Sequence, residues 1–176
     1  MSVIRRKFAA SEVLHLTDDG RTPNNERLPL VIYRGVLPIA EADPAAACEA
    51  LFARHGWGAA WRDGIYDYHH FHTTTHEVLG IVAGEACVRF GGENGLSVTL
   101  HEGDVVVIPA GVGHRREQAS DQLLVVGAYP GGFEFDIGTP QEDHAKAVRA
   151  LYRVPLPAED PVYGRGGPLL EYWRKN

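Results

Sequence analysis

The sequence predicts an all-β fold: an antiparallel sandwich or barrel with two flanking α-helices. From residue 64 onward, short apolar segments recur at regular spacing, and Gly, Pro, Asn or Asp bounds each of them. Such punctuation is typical of short strands joined by turns. Helix-forming segments with capping residues lie only before and after this region. The chain has 176 residues, 44% hydrophobic and 23% charged, which suits one globular domain with a substantial core.

The segment before the barrel predicts one strand and one helix. Residues 28–36 are apolar and β-branched, and Pro29 restricts them to a sheet edge or to the start of a strand. A helix follows, because a capping residue, a proline, a run of helix formers and a terminating glycine succeed one another. These features are Asp43, Pro44, residues 45–54 and Gly56. Residues 57–61, which mix Gly and Trp, predict a packed connection.

Seven candidate strands form the predicted barrel, each bounded by turn residues. They are residues 66–72, 77–83, 86–90, 96–100, 104–108, 114–118 and 123–129. A second helix is predicted from Thr139 to about Tyr152, because Thr139, Pro140 and Glu142 form a capping box with proline at the first helical position. The Pro- and Gly-rich tail from Val154 is predicted to wrap the surface.

The histidines are the most uneven feature of the composition. Of nine in the chain, four fall within eight residues: His69, His70, His72 and His76. Successive side chains of a strand point to opposite faces, so His70 and His72 share one face. Two imidazoles at that spacing can chelate one metal ion without distortion of the backbone.

Two further residues complete a candidate metal site. Glu77 begins the next predicted strand after a four-residue connection, so a hairpin could return its carboxylate beside the two imidazoles. His114 directly follows the turn at residues 109–111. Three imidazoles and one carboxylate suit a divalent transition metal such as iron, manganese, nickel, copper or zinc.

Two motifs in this region resemble the signatures of the cupin family. The first is Gly, five residues, His-x-His, three or four residues, Glu, six residues, Gly, and it is matched by Gly64, His70, His72, Glu77 and Gly84. The second is Gly, five residues, Pro-x-Gly, two residues, His, three residues, Asn. It is matched by Gly103, Pro109, Gly111 and His114, with Gln118 in place of the final Asn. The flanks, residues 23–30 and 154–164, are similar to the YjlB-like subgroup of cupins.

The resemblance implies a double-stranded antiparallel β-helix, the cupin jelly-roll barrel, in a single domain of residues 1–176. The core barrel would span about 62–130, the N-terminal strand and helix 27–56, and the C-terminal helix and tail 139–176. In cupins the matched positions ligate metal, which implies one divalent transition metal ion held by His70, His72, Glu77 and His114. The resemblance also implies a homodimer, with residues 28–36 and 169–173 as candidate contact segments.

These implications predict a metalloenzyme that carries out dioxygenase-type oxidation or isomerisation of a small polar acid or sugar-like metabolite. The alternative is a protein that binds or senses a small ligand at its metal without turnover. Tyr66 and Tyr68 share the face of His70 and are candidate acid/base groups, with core packing as their alternative. Arg116 shares the face of His114 and is a candidate for binding a carboxylate or phosphate, with a surface ion pair as its alternative.

The two other clustered histidines are expected to point away from the metal. Alternation places His76 on the face opposite Glu77, toward the barrel exterior, although a bulge at the strand start would exchange the two residues. By the same alternation His69 points away from His70 and is expected on the exterior.

Composition disfavours several other classes of protein. Seventeen Lys and Arg against 23 Asp and Glu give a net charge of −6, which disfavours a general nucleic-acid binder. No apolar run approaches the ~20 residues of a membrane helix, so no membrane partner is expected. Two cysteines are too few for a disulfide framework, and no apolar signal core follows the basic residues 1–7, which together predict a cytoplasmic protein.

Overall fold

The computed structural model describes residues 10–174, so the basic residues 1–7 lie outside the described range. The described strands are β1 (Ser11–Leu16), β2 (Asn25–Tyr33), β3 (Trp57–Asp63), β4 (Glu77–Ala83), β5 (Glu85–Phe90), β6 (Leu96–His101), β7 (Val105–Ile108), β8 (His114–Ala119) and β9 (Leu124–Pro130). The helices are α1 (Pro44–Arg54), α2 (His144–Leu151) and α3 (Pro168–Arg174). The predicted all-β class is confirmed.

Two antiparallel sheets form the barrel. One has six strands in the order β1-β2-β7-β4-β9-β3, and the other has three in the order β6-β5-β8. One apolar cluster draws buried side chains from both sheets, including Leu79 of β4 and Val88 of β5. The sheets therefore pack face to face, as in a jelly roll.

Strands β7, β4 and β9 of the six-stranded sheet are buried on both faces, and the alternation of side chains divides their apolar residues between two cores. In β7, Val106 and Ile108 belong to the core between the sheets. Val105 and Val107 belong to a second core, formed where helices cover the outer face. β4 follows the same alternation. Burial on both faces explains why these strands are continuous apolar runs in the sequence.

Helix α1 confirms the predicted cap and extent. The Asp43 carboxylate accepts a hydrogen bond from the N–H of Ala46 at 3.0 Å, and the helix ends two residues before Gly56. Helix α2 is shorter than predicted, because Asp143 rather than Thr139 caps it. Instead of starting the helix, the N–H of Glu142 closes a turn on the carbonyl of Thr139.

Helix α3 was not predicted, and it corrects the expectation that the tail only wraps the surface. Leu169, Leu170 and Trp173 are buried against the chain's own sheet, and the indole N–H of Trp173 donates to the carbonyl of Pro29 at 2.8 Å. The segment 169–173 is therefore not an open dimer contact. Among the helices of residues 10–174, none has both the length and the apolar character that crossing a bilayer requires.

The strand at residues 28–36 and the connection at residues 57–61 also differ from the sequence expectation. Strand β2 pairs with β1 on one side and β7 on the other, so it does not offer a free edge as a dimer contact. Pro29 lies outside Val31–Tyr33, the part that pairs with β7, in agreement with its missing N–H. Residues 57–61 are not a connection but the start of β3, which pairs with β9.

Gly80, in the middle of β4, lets helix α1 lie directly on the backbone of that strand. A Cβ at this position would stand 2.7 Å from the Cys48 sulfur and 3.1 Å from both Leu37 and Phe52. Cys48 and Phe52 are fully buried, so neither can move into solvent. The packing of α1 on the sheet therefore depends on a residue without a side chain.

We expect Gly80→Ala to lower the free energy of unfolding by about 1–3 kcal/mol, because overpacking must displace the buried side chains of α1. Urea unfolding followed by circular dichroism measures the change. Gly64→Ala is the control, since its added Cβ would have no neighbour within 4 Å. Equal stability of the two variants would contradict the close contact between α1 and β4.

Candidate metal centre

The segment that carries the histidines lies beside the start of β8. The N–H of His114 donates to the carbonyl of His70 at 2.9 Å, while Phe71 pairs with Gly138 on its other side. The prediction of a regular strand at residues 66–72 is wrong, because adjacent residues bridge to different partners. Even so, this path brings His70 and His72 to the same side as His114.

Three buried histidines and one buried carboxylate converge at this point. The potential ligand atoms of His70, His72 and His114 all lie within 4.8 Å of one another. Oε2 of Glu77 is 3.1 Å from Nε2 of His72 and 3.3 Å from Nε2 of His114. The four residues of the sequence motif are thus assembled from three separate parts of the chain.

A backbone carbonyl fixes the orientation of each imidazole. Nδ1 of His70 lies 3.0 Å from the carbonyl of Tyr68, and Nδ1 of His114 lies 3.1 Å from the carbonyl of Val112. Nδ1 of His72 contacts the carbonyl of Asp136. A carbonyl only accepts, so each Nδ1 donates its proton, and each ring in its neutral form keeps a lone pair on Nε2. All three lone pairs are then available to a cation.

The charges around Glu77 favour a bound cation. Burial alone would raise the pKa of Glu77, but His72 and His114 outweigh it and the pKa is lowered. Burial alone would lower the pKa of His72, but the Glu77 carboxylate outweighs it and the pKa is raised. Burial, reinforced by His114, lowers the pKa of His70 to about 3, so its ring stays neutral near pH 7.

These groups fit a divalent transition metal. An Nε2 lone pair that faces a carboxylate oxygen at 3.1–3.3 Å is repelled unless a proton or a cation lies between the two atoms. Three neutral nitrogen donors and one anionic oxygen form a donor set that iron, manganese, nickel, copper and zinc accept. The hydrogen bonds at Nδ1 orient the imidazoles in the way that metal-binding histidines require.

Two aromatic residues absent from the sequence prediction hold the second oxygen of Glu77. The hydroxyl of Tyr129 donates to Oε1 of Glu77 at 3.2 Å and accepts from the indole N–H of Trp61 at 2.7 Å. Tyr129 faces the barrel interior because it lies four residues after Val125 in β9 and therefore on the same face. Val125 belongs to the core between the sheets. Trp61 lies in β3, within the segment predicted as a connection.

The position of His76 resolves the alternative left open by the sequence. Leu79 and Ile81 face the barrel interior, and alternation puts Glu77 on the same side of β4. His76 therefore faces outward, but it is not exposed: its ring packs 4.7 Å from that of Trp173, and Nδ1 accepts from the N–H of Ala110 at 2.9 Å. It does not replace Glu77.

The side chain of His69 points away from the converging histidines, as expected, but it is not exposed on the exterior. Its side chain is only 10% exposed, and Nε2 lies 3.2 Å from a carboxylate oxygen of Glu93. This contact belongs to a second cavity of about 420 Å³, which Tyr68 also lines. The backbone of its own segment thus separates the His69 side chain from the converging histidines.

A cavity of about 500 Å³ opens above the converging histidines. Tyr66 and Arg116 line it, as the sequence predicts, whereas Tyr68 lies outside this lining. The rings of Tyr66 and Tyr68 stack with centroids 5.1 Å apart, and both side chains are more than two-fifths exposed. Arg116 donates from Nε to the carbonyl of Ile65 at 3.0 Å, and its Nη2 is 4.0 Å from the exposed Asp67 carboxylate.

Residues 131–138, which we name the strap, connect the converging histidines to the loop before β4. The carboxylate of Asp136 accepts from the N–H groups of Thr73 and Thr74 at 2.7 and 3.1 Å and from both of their hydroxyls. The carbonyl of the same residue accepts from His72. Phe135 adds an edge contact to the His72 ring at 5.3 Å. Docking of the strap and orientation of His72 are therefore linked through Asp136.

Comparison with known proteins identifies related sequences over most of the chain. Residues 63–127 match the family model described as a cupin domain. The chain is 44% identical over 160 residues to the uncharacterized protein YjlB of Bacillus subtilis (strain 168). That alignment covers 90% of this chain and 93% of the relative.

Two of the similar solved structures are enzymes. An acireductone dioxygenase from Bacillus anthracis, with a cadmium ion in its active centre, matches at 21% identity and a TM-score of 0.38, over 52% of this chain and 63% of that one. A TDP-fucose-3,4-ketoisomerase from Campylobacter jejuni matches at 9% identity and a TM-score of 0.39, over 54% and 74%. At these identities and TM-scores, no role is transferred from either enzyme.

Asp136→Ala should release the strap from the loop at Thr73 and Thr74. We expect faster hydrogen exchange at these two amides and a free energy of unfolding lower by about 1.5–3 kcal/mol, because hydrogen bonds to a charged acceptor are lost. Glu134→Ala, in the exposed part of the same strap, is the control and should leave both quantities unchanged. Unaltered exchange in the Asp136 variant would show that its carboxylate does not hold the loop.

Proposed function

The chain belongs to the cupin family, in its YjlB-like group, and we propose that it is a metalloenzyme acting on a small molecule. One divalent transition metal ion would be held by His70, His72, Glu77 and His114. The observation that carries this proposal is the tautomer of the three imidazoles: each Nδ1 donates to a carbonyl, so each Nε2 offers a lone pair beside a buried carboxylate.

The open space above the donors supports a role in ligand binding or catalysis. Structural metal sites are closed by protein ligands, whereas catalytic sites leave a position for water or substrate. Here a cavity of about 500 Å³ adjoins the four donors. A bound divalent ion supplies a Lewis acid there and, where the metal is redox-active, a route for electron transfer.

The residues around the donors have distinct roles in this proposal. Tyr129 and Trp61 hold one oxygen of Glu77, which leaves the other oxygen directed at His72 and His114. Tyr66 is the candidate acid/base group in the cavity, and Tyr68 stacks on it. The guanidinium of Arg116 is positioned to bind an anionic group of the substrate. The reaction classes proposed for this arrangement are dioxygenase-type oxidation and isomerisation.

We expect His72→Ala to lose its metal, because a nitrogen donor and its link to the strap disappear together. The parent protein should bind about one equivalent, measured by inductively coupled plasma mass spectrometry after growth in metal-supplemented medium. His76→Gln is the matched control: it changes a neighbouring buried histidine, and the Gln oxygen can still accept from Ala110. Full metal content in the His72 variant would refute the ligand assignment.

Turnover separates the enzyme from a protein that binds its ligand without reaction. Oxygen consumption by the iron-loaded protein, measured over a panel of small hydroxy-, keto- and thiol acids, should reveal oxidation. Product analysis under anaerobic conditions should reveal isomerisation. We expect Tyr66→Phe to slow either reaction by about 100-fold if its hydroxyl transfers the proton. Stoichiometric binding with neither reaction would favour the sensing alternative.

A further inference from the structure

We infer that the cavity selects a small carboxylate with an aromatic or alkyl body, rather than a sugar or sugar phosphate. This inference rests on the proposed function, since it concerns the substrate of the same site. It follows from the uneven distribution of polar groups in the cavity. The cavity has a polar floor, formed by His70, His72, Glu77 and His114, and largely apolar walls. One arginine in these walls keeps free hydrogen-bonding capacity.

The walls above the floor are mainly rings and aliphatic side chains. They comprise Trp61, Ile65, Tyr66, Leu79, Leu123, Tyr129 and Phe135. The rings of Tyr129 and Phe135 stack with centroids 5.1 Å apart, and Phe135 is 41% exposed. A surface of this kind gains free energy by covering an apolar or aromatic body.

Most polar groups in the walls are already paired within the protein. The indole of Trp61 and the hydroxyl of Tyr129 belong to the chain of hydrogen bonds that ends at Glu77. The Ser120 hydroxyl oxygen accepts from the N–H of Glu85 at 3.0 Å. Among the described lining residues there is no Asn, Gln, Thr or Lys side chain.

A sugar would therefore lose hydrogen bonds on entering this cavity. Each hydroxyl group that leaves water without a protein partner costs about 1–3 kcal/mol. Above the floor, the described groups that keep free hydrogen-bonding capacity are the guanidinium of Arg116, the Tyr66 hydroxyl, the proton of the Ser120 hydroxyl and the carboxylate of Asp63. Tyr66 and Asp63 are exposed to solvent. Between the apolar walls, Arg116 and Ser120 alone cannot satisfy the several hydroxyls of a sugar ring.

Two arginines line the cavity, and their contacts assign different roles to them. Arg62 donates from Nε and Nη2 to both carboxylate oxygens of Glu49, at 2.7 and 2.9 Å. Arg116 uses only Nε in a hydrogen bond, while its Nη2 has a distant contact of 4.0 Å with Asp67. Arg116 thus retains the fork of donors that matches a carboxylate.

The position of Arg116 lets one ligand reach both the floor and the guanidinium. Arg116 follows His114 by two residues in β8, so their side chains share a face and their Cα atoms are about 7 Å apart. That separation suits a small organic acid. A single uncommitted arginine beside the Asp67 carboxylate favours a monoanion over a phosphate dianion, because the acid repels additional negative charge.

Isothermal titration calorimetry with four probes tests the inference. 3-Phenylpropanoate carries both the anion and the apolar body, 3-phenylpropan-1-ol lacks the anion, acetate lacks the body, and glucose 6-phosphate adds hydroxyls. We expect 3-phenylpropanoate to bind at least tenfold more tightly than each of the others. Arg116→Gln should weaken its binding about tenfold to hundredfold, whereas Arg62→Gln, the matched control, should change it less than about twofold.

The titrations are repeated on EDTA-treated protein, and the metal content is measured in parallel. Dependence on Arg116 that persists after EDTA treatment supports the inference even if no metal is found, in which case only the proposed metal function fails. The inference is overturned if glucose 6-phosphate or acetate binds as tightly as 3-phenylpropanoate. It is also overturned if Arg116→Gln has no effect, whether or not the metal is present.

Discussion

The buried carboxylate of Glu77 is the constraint around which the site is arranged. A charge removed from water is very costly unless other groups compensate it, and here the compensation comes from four side chains. His72 and His114 face one carboxylate oxygen, and Tyr129, itself held by Trp61, donates to the other. In the proposed metal centre, a divalent cation held by the Nε2 lone pairs would remove the remaining repulsion between acceptors.

The fold determines which residues reach this carboxylate. Because β4 lies between β7 and β9 and is itself buried on both faces, each of its residues faces either the interior or the covering helices. Glu77 shares the interior face with Leu79, and its neighbour His76 packs under Trp173. A shift of one residue in this strand would turn Glu77 out of the barrel interior and move its neighbours to the opposite face.

The sequence predicted the class of fold and the four side chains that converge, because the two motifs have the spacing of cupin signatures. It also contained a signal for Tyr129, which the alternation along the predicted strand at 123–129 puts on the face of Val125. Trp61 was missed because Gly and Ala around it hide the strand character of β3. Asp136 could not be found from local pattern, since its partner Thr73 lies 63 residues away. Helix α3 was hidden by the prolines and glycines that precede it.

The most direct test of the metal centre is a crystal structure with anomalous diffraction recorded at the absorption edge of the metal in the purified protein. We expect one strong anomalous peak bonded to Nε2 of His70, His72 and His114 and to the carboxylate of Glu77, with the cavity opening onto its remaining positions. A peak bonded elsewhere, such as between His69 and Glu93, or donors bridged only by protons in metal-supplemented crystals, would contradict it.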